Sequence, residues 1–263
     1  MKMWTYIKLT WYMASLTVLS QMEYRASFFI KIAGIVVNDL GLFLIWIIFF
    51  NRFPAINGWG LRSMLLLFAL FLISFSLFAI FSAGTLEMAK LITRGELDYF
   101  LTLPKQVQWQ ISVSKSEFVA IGDLVLGVGM LFFAGPWTLS RALVFIVVSV
   151  LSAIVMYGFA SIVQSLAFYF GNFEETADRW YWTLWGLSLY PQTIFSGPLK
   201  VIMLVLVPVF FVSSLPISLI NNFSWAGLIF LATATLLFFL VSVWVFNKGL
   251  RRYESGNLIN LRV

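Results

Sequence analysis

The sequence predicts an all-α polytopic membrane protein: a single domain over residues 1–263, six membrane-crossing helices, and both termini cytoplasmic. Three observations carry this. The chain is 61% hydrophobic and 11% charged, with mean hydropathy +0.95, whereas soluble domains carry about 25% charged residues. Its apolar runs follow one another with no soluble insert between them. Its lysines and arginines are distributed asymmetrically over the connections between those runs.

Residues 1–22 are too polar to cross a bilayer. Trp4, Ile7, Trp11, Ala14, Val18 and Met22 recur at helical spacing, while Lys2, Thr5, Lys8, Ser15 and Gln21 fall largely elsewhere. A helix with aromatics on one side and lysines on another lies in the interface plane. No cleavable leader is legible in it.

Residues 28–50 form the first span, since about 20 apolar residues cross the hydrocarbon core. Asn38 and Asp39 sit at its middle. Residues 51–60, with Pro54, Asn57 and Gly58, form a turn, and residues 61–83 the second span. Residues 86–103, LEMAKLITRGELDYFLTL, are the long polar interruption, and a polar stretch continues through Lys115 and Glu117. Residues 118–133 are the third span, with Asp123 about one turn in, and 142–170 a long fourth span. Residues 171–179, GNFEETADR, read as a short acidic loop, and 225–246 as the last clear span before a basic tail.

Residues 180–215 are ambiguous: two apolar pieces, broken by Gly186, Pro191 and Pro208, each near or below spanning length. Charge decides their crossing number. Placing the N-terminus, the 86–117 region, the 171–179 loop and the tail inside leaves only Arg52, Arg62, Arg141 and Lys200 outside, four of the 17 bases. Both termini are then inside and the number of crossings is even. Residues 180–215 therefore cross once, as a broken helix or as a span plus a re-entrant hairpin. Irregular backbone at that depth needs cover from protein or a water-filled cavity, which makes this stretch a candidate outer gate.

Much chemistry is excluded. With neither histidine nor cysteine, the commonest metal ligands, thiol chemistry and a Ser–His dyad are absent. No GxxxxGK[ST] loop occurs, so the chain does not bind ATP by that route, and Gly127-Val128-Gly129 inside a span reads as packing. A Ser–Lys pair at Ser114-Lys115-Ser116 stays open, although these residues lie at the aqueous edge. No cofactor is expected. The net charge of +6 reflects bases set against the cytoplasmic leaflet rather than nucleic-acid binding.

Charged groups within spans are costly and are functional candidates by default. Asp39 either makes a polar packing contact or serves transport; Asp123 lies near the cytoplasmic edge, where Lys115 or Arg94 could pair with it. The cluster Trp180, Tyr181, Trp182 and Trp185 reads as an interfacial belt rather than a stacking site.

The stretch 86–103 reads as helix, glycine stop, helix. Arg94 suits the negative end of a helix dipole, Gly95 is a natural C-cap, and Leu97, Phe100 and Leu101 share one face before Pro104. It is either a helical knuckle that docks into a soluble partner or a solvated loop with helical character.

The run LITRGELDYFLTLPKQVQWQ and the acid-bearing span IGDLVLGVGMLFF that follows it resemble the permease subunits of ABC-2 type exporters, and most of all a small six-span branch. That branch carries I-x-x-G-x-L-D-x-x-L-x-x-P after the second span, and Ile92, Gly95, Leu97, Asp98, Leu101 and Pro104 occupy those places. The tail NKGLRRYESGN, with Gly249, Leu250, Tyr253, Ser255 and Gly256, resembles the same branch's ending. The stretch after Pro104, Lys105-Gln106-Val107-Gln108, departs from the pattern. The resemblance implies a non-catalytic permease of the inner (plasma) membrane that pairs with a second permease, identical or related, and with a cytoplasmic ATPase dimer. Residues Arg94, Gly95, Glu96, Leu97, Asp98, Phe100, Leu101 and Pro104 would form the coupling helix, and the N-terminal interfacial helix the elbow. A proton-coupled secondary transporter working through Asp39, or a non-transporting scaffold, are the alternatives.

Overall fold

The computed structural model describes residues 3–198, 201 and 207–253. The expectations placed on the side chains of Trp4, Ile7, Ala14 and Val18, on residues 202–206, and on Ser255 and Gly256 lie outside the described residues. Helix α1 (Met3–Gln21) precedes α2 (Arg25–Arg52) and α3 (Leu61–Ser82). A 3-10 stretch, Ala83–Glu87, leads into α4 (Met88–Thr93), α5 (Asp98–Leu101) and α6 (Val107–Ser114). After a 3-10 turn, Phe118–Ala120, come α7 (Ile121–Leu131), α8 (Leu139–Ser165), α9 (Ala167–Phe170) and α10 (Glu174–Ser188). A π-helical turn, Phe210–Ser214, runs into α11 (Leu215–Asn221), and α12 (Trp225–Leu250) closes the described chain.

Four helices are long and apolar enough to cross a membrane: Arg25–Arg52, Leu61–Thr93, Leu139–Phe170 and Trp225–Leu250. Phe118–Leu131 and Phe210–Asn221 are apolar but shorter. The four long helices contain the spans read at 28–50, 61–83, 142–170 and 225–246, while the third span ends at Leu131, two residues before its expected end. Side-chain caps start two of them: Thr138 Oγ1 accepts from the Arg141 amide at 3.3 Å and Ser224 Oγ from the Gly227 amide at 3.0 Å.

Helix α3 is the centre. It packs against α7 on one side and α8 on the other; α12 covers α8, and α2 packs chiefly on α7. Close approach needs small residues where no hydrophobic force acts between helices. A Cβ on Gly127 of α7 would lie 2.9 Å from Ile73 and 3.2 Å from the Ala69 carbonyl of α3. That glycine is a packing residue, as its place within a span implied. Ser76 Oγ, within 2.8 Å of both the Leu72 and Ala120 carbonyls, pins the start of α7 to α3.

Two segments differ from expectation. The acidic stretch 171–179 is a loop only to Phe173; Glu174 and Glu175 open α10, where carboxylates oppose the positive helix end. Residues 107–114, taken for part of an aqueous polar stretch, form α6, whose Gln108, Gln110 and Ser112 are buried. A Cβ on Gly84 would lie 2.0 Å from the Ile111 carbonyl, so the turn after α3 exists in this form only because α6 backbone can touch it.

Contacts locate the described parts of residues 180–215. Glu174 lies beside Arg94 of the knuckle, with N–O 3.9 Å. Farther on, Tyr190 packs against Trp46 with ring centroids 5.6 Å apart, and the Thr193 carbonyl accepts from Asn57 Nδ2 at 3.0 Å. Helix α10 and its continuation thus run from the knuckle end of the bundle to the α2–α3 turn at the other. At the close of α11, Asn221 Oδ1 accepts from Arg141 Nη2 at 3.2 Å, at the start of α8 and the same far end. Between them, Ser152 Oγ of α8 donates to the Phe211 carbonyl at 3.5 Å.

Candidate functional site

The knuckle is built as its sequence implies. Glycine at position 95 has φ 71°, a conformation that costs an L-residue roughly 1–2 kcal/mol. The Glu96 amide donates to the Leu91 carbonyl at 3.0 Å, and the Gly95 amide to the Ile92 carbonyl at 3.3 Å. These paired bonds are a Schellman stop. They turn the chain from α4 into α5 while satisfying carbonyls that the helix end leaves open.

One part of the expected docking face points the other way. Leu97 is fully buried and belongs to the bundle core, and Phe100 is half-buried against it. The residues open to water are Arg94, Glu96, Tyr99, Leu101, Thr102 and Pro104, with Tyr99 66% and Leu101 44% exposed. The spacing of Leu97, Phe100 and Leu101 is real, but the bundle takes the first of them because α5 needs an anchor. Tyr99, which the pattern left out, lies on the outer side.

Three contacts tie the knuckle to the spans. Gln164, buried in the last turn of α8, accepts from the Ala89 amide at 2.9 Å and donates through Nε2 to Asp178 of α10 at 3.0 Å. Glu87 meets Lys115 at 2.8 Å and Lys90 at 3.4 Å. Partial burial works against the charge on Glu87, yet the two lysines outweigh it and hold the carboxyl below its ordinary range. From the tail, Tyr253 packs on Phe168 and lies against Asp98. Burial and that carboxylate push its phenol up to about 12. The knuckle and the tail, far apart in sequence, are one surface.

The intramembrane acids also differ from expectation. Asp123 meets neither Lys115, which pairs with Glu87, nor Arg94, whose partner is Glu174. It lies within hydrogen-bonding reach of Asp39 across the α2–α7 contact, and both side chains are buried. Asn38 Nδ2 donates to Asp39 Oδ1 at 3.3 Å. Of the aromatic cluster, Trp180 and Trp182 are exposed, whereas Tyr181 is core and Trp185 packs on Phe71 at 5.5 Å.

A second polar cluster had no forecast. Gln108 Nε2 lies 2.8 Å from Ser161 Oγ and 3.4 Å from Ser242 Oγ, and Ser112 Oγ 3.5 Å from the Tyr157 hydroxyl. It joins α6, α8 and α12. Gln164 was findable as the lone amide in a long apolar run; Gln108, in QVQWQ, looked aqueous. Among the described residues no group of three or more His, Cys, Asp or Glu could hold a metal ion.

Apolar helices of spanning length around a structured polar knuckle define a polytopic helical membrane protein. Residues 36–256 match the family described as ABC-2 family transporter protein, so the chain belongs to that family. No curated protein and no solved structure matches it.

Proposed function

We propose that this chain is the permease subunit of an ATP-driven exporter, moving an amphiphilic substrate out of the cytoplasm. It works as a pair of permeases on two cytoplasmic ATPase subunits. Family membership supports the class. The single observation that carries the coupling role is the knuckle's split surface. Leu97 anchors it in the bundle while Tyr99 and Leu101 stand open at its polar end. An ordered element with exposed aromatic and aliphatic groups, ringed by Arg94, Glu96 and Pro104, has the composition of an interface patch. In this reading α2, α3, the segment Phe118–Leu131, α8, α10 with its continuation, and α12 are the six crossings. The knuckle and both termini face the cytoplasm, and α1 is the elbow at the inner face of the plasma membrane.

The test is ATPase activity of the reconstituted complex. Tyr99→Ala and Leu101→Asp are expected to leave the bundle folded and to abolish the stimulation of the ATPase. Unchanged stimulation in both variants removes the knuckle from the coupling path. The facing carboxyls Asp39 and Asp123 favour one competing reading, proton-coupled transport. It requires transport without ATP and its loss in Asp39→Asn.

A further inference from the structure

Helix α12 carries its own depth scale. Trp225 and Trp244 are 71% and 60% exposed and stand about 28 Å apart along it at 1.5 Å per residue. That is the separation of the two interfaces of a hydrocarbon core about 30 Å thick, where tryptophans collect. Leu237 and Leu240, between them, are open as well. Past Trp244 the helix continues with Asn247, Lys248 and Arg251, all exposed. Lys248 lies about 6 Å beyond Trp244 along the axis, at the depth of the lipid headgroups. Trp244, Lys248 and Arg251 are neighbours on one helix face.

The opposite side of this helix end is fixed. Phe246 and Tyr253 pack on Phe168, with ring centroids 5.5 and 6.3 Å away, and a Cβ on Gly249 would collide with the same ring. The open face is therefore presented in one orientation. Lys248 Nζ lies 4.7 Å from the centre of the Trp244 ring, and Arg252 Cζ 4.9 Å from that of Tyr169. The first contact draws the ammonium back toward the interface.

Charge sets this face apart from the knuckle beside it. Lys90 and Lys115 meet Glu87, Arg94 meets Glu174, and Arg179 meets Glu175. Among the described residues no carboxylate pairs with Lys248, Arg251 or Arg252. We infer that these three bases, with the Asn247 amide, bind the phosphate of an anionic phospholipid in the knuckle-side leaflet, whose acyl chains follow the open face of α12 past Trp244. A zwitterionic headgroup brings its own cation, which three uncompensated bases repel; a headgroup of net negative charge does not. A soluble acidic partner would meet the bases only beyond the headgroups, whereas Trp244 and Leu240 on the same helix put the face in the bilayer. The inference needs α12 to cross a membrane and does not need an ATPase.

The test mixes the purified full chain, in detergent, with equal amounts of phosphatidylglycerol and phosphatidylcholine carrying the same acyl chains, and counts retained lipid by native mass spectrometry. Phosphatidylglycerol is expected to be retained about tenfold over phosphatidylcholine. Lys248→Gln with Arg251→Gln is expected to bring the ratio close to one, while Lys248→Arg with Arg251→Lys keeps it. Arg52→Gln with Arg62→Gln, which removes the same charge at the far end, leaves it unchanged. Equal retention of the two lipids by the unaltered chain overturns the site. So does a preference that survives Lys248→Gln with Arg251→Gln, or one that falls as far in Arg52→Gln with Arg62→Gln. Displacement of the phosphatidylglycerol by an equal concentration of inorganic phosphate would show a site for free anions and overturn the lipid assignment.

Discussion

Leu97 shows how a single position can be legible in type and illegible in direction. Its place in the Leu97, Phe100, Leu101 triplet marks an apolar face, but nothing local says whether the bundle or a partner covers it. The fold gives Leu97 to the core. Leu97→Ala is therefore expected to cost about 2–5 kcal/mol, read as a lowered midpoint of thermal unfolding in detergent. Leu101→Ala, on the exposed side, should move that midpoint little. Equal shifts would contradict the orientation of α5. Glu87 offers a pH readout at the same scale. Its folded value lies below the 4.5 of an ordinary glutamate. The stabilisation from Lys115 and Lys90 is thus present above about 4.5 and lost as pH falls through the lower folded value. Lys115→Met is expected to make acid unfolding begin at higher pH, and an unchanged onset would show that the pair contributes nothing.

Among elements, the joint between α4, α8 and α10 has the most to say about mechanism. Gln164 bonds both the first helix of the knuckle and the start of α10. The Arg94–Glu174 pair beside it is long and half-exposed, and such pairs contribute little. In the proposed coupling mechanism, a push on the knuckle reaches α10 through Gln164. Gln164→Leu keeps the volume and strands the Ala89 amide, at roughly 1–3 kcal/mol. The expected outcome is a folded permease in which ATPase stimulation persists while transport falls. Transport and stimulation retained together would place the joint outside the coupling path. Element types were legible for the long helices because apolar length alone identifies them. Helix α6 was not: Gln108, Gln110 and Ser112 look aqueous in sequence, yet they lie buried in the bundle, where Gln108 Nε2 donates to Ser161 Oγ, Gln110 Nε2 to the Lys105 carbonyl and Ser112 Oγ to the Gln108 carbonyl.

For the whole molecule, the open question is which end faces which compartment. The chain has no cysteine, so single-cysteine labelling can be read without background. Thr102→Cys should react with a membrane-impermeant maleimide only after the cells are opened. Ser196→Cys and Asn222→Cys, which a span plus a re-entrant hairpin would leave on one side of the membrane, should both react in intact cells. Reaction of Ser196→Cys and Asn222→Cys from opposite sides would replace the hairpin with a broken span. Labelling of Thr102→Cys in intact cells would invert the molecule and remove the coupling role.

The order of apolar and polar segments, the helical class, the glycine stop at Gly95 and the excess of bases at one set of turns are local properties. Chain composition and backbone sterics determine them without reference to distant residues, and they were readable as such. Which way Leu97 points, that Asp123 lies beside Asp39, and that Tyr253 comes to lie on Asp98 were decided by tertiary packing. Each depends on which surfaces meet across the bundle. In an almost uniformly apolar chain, hydrophobicity cannot rank those surfaces, so close packing and the pairing of the few buried polar groups make the choice.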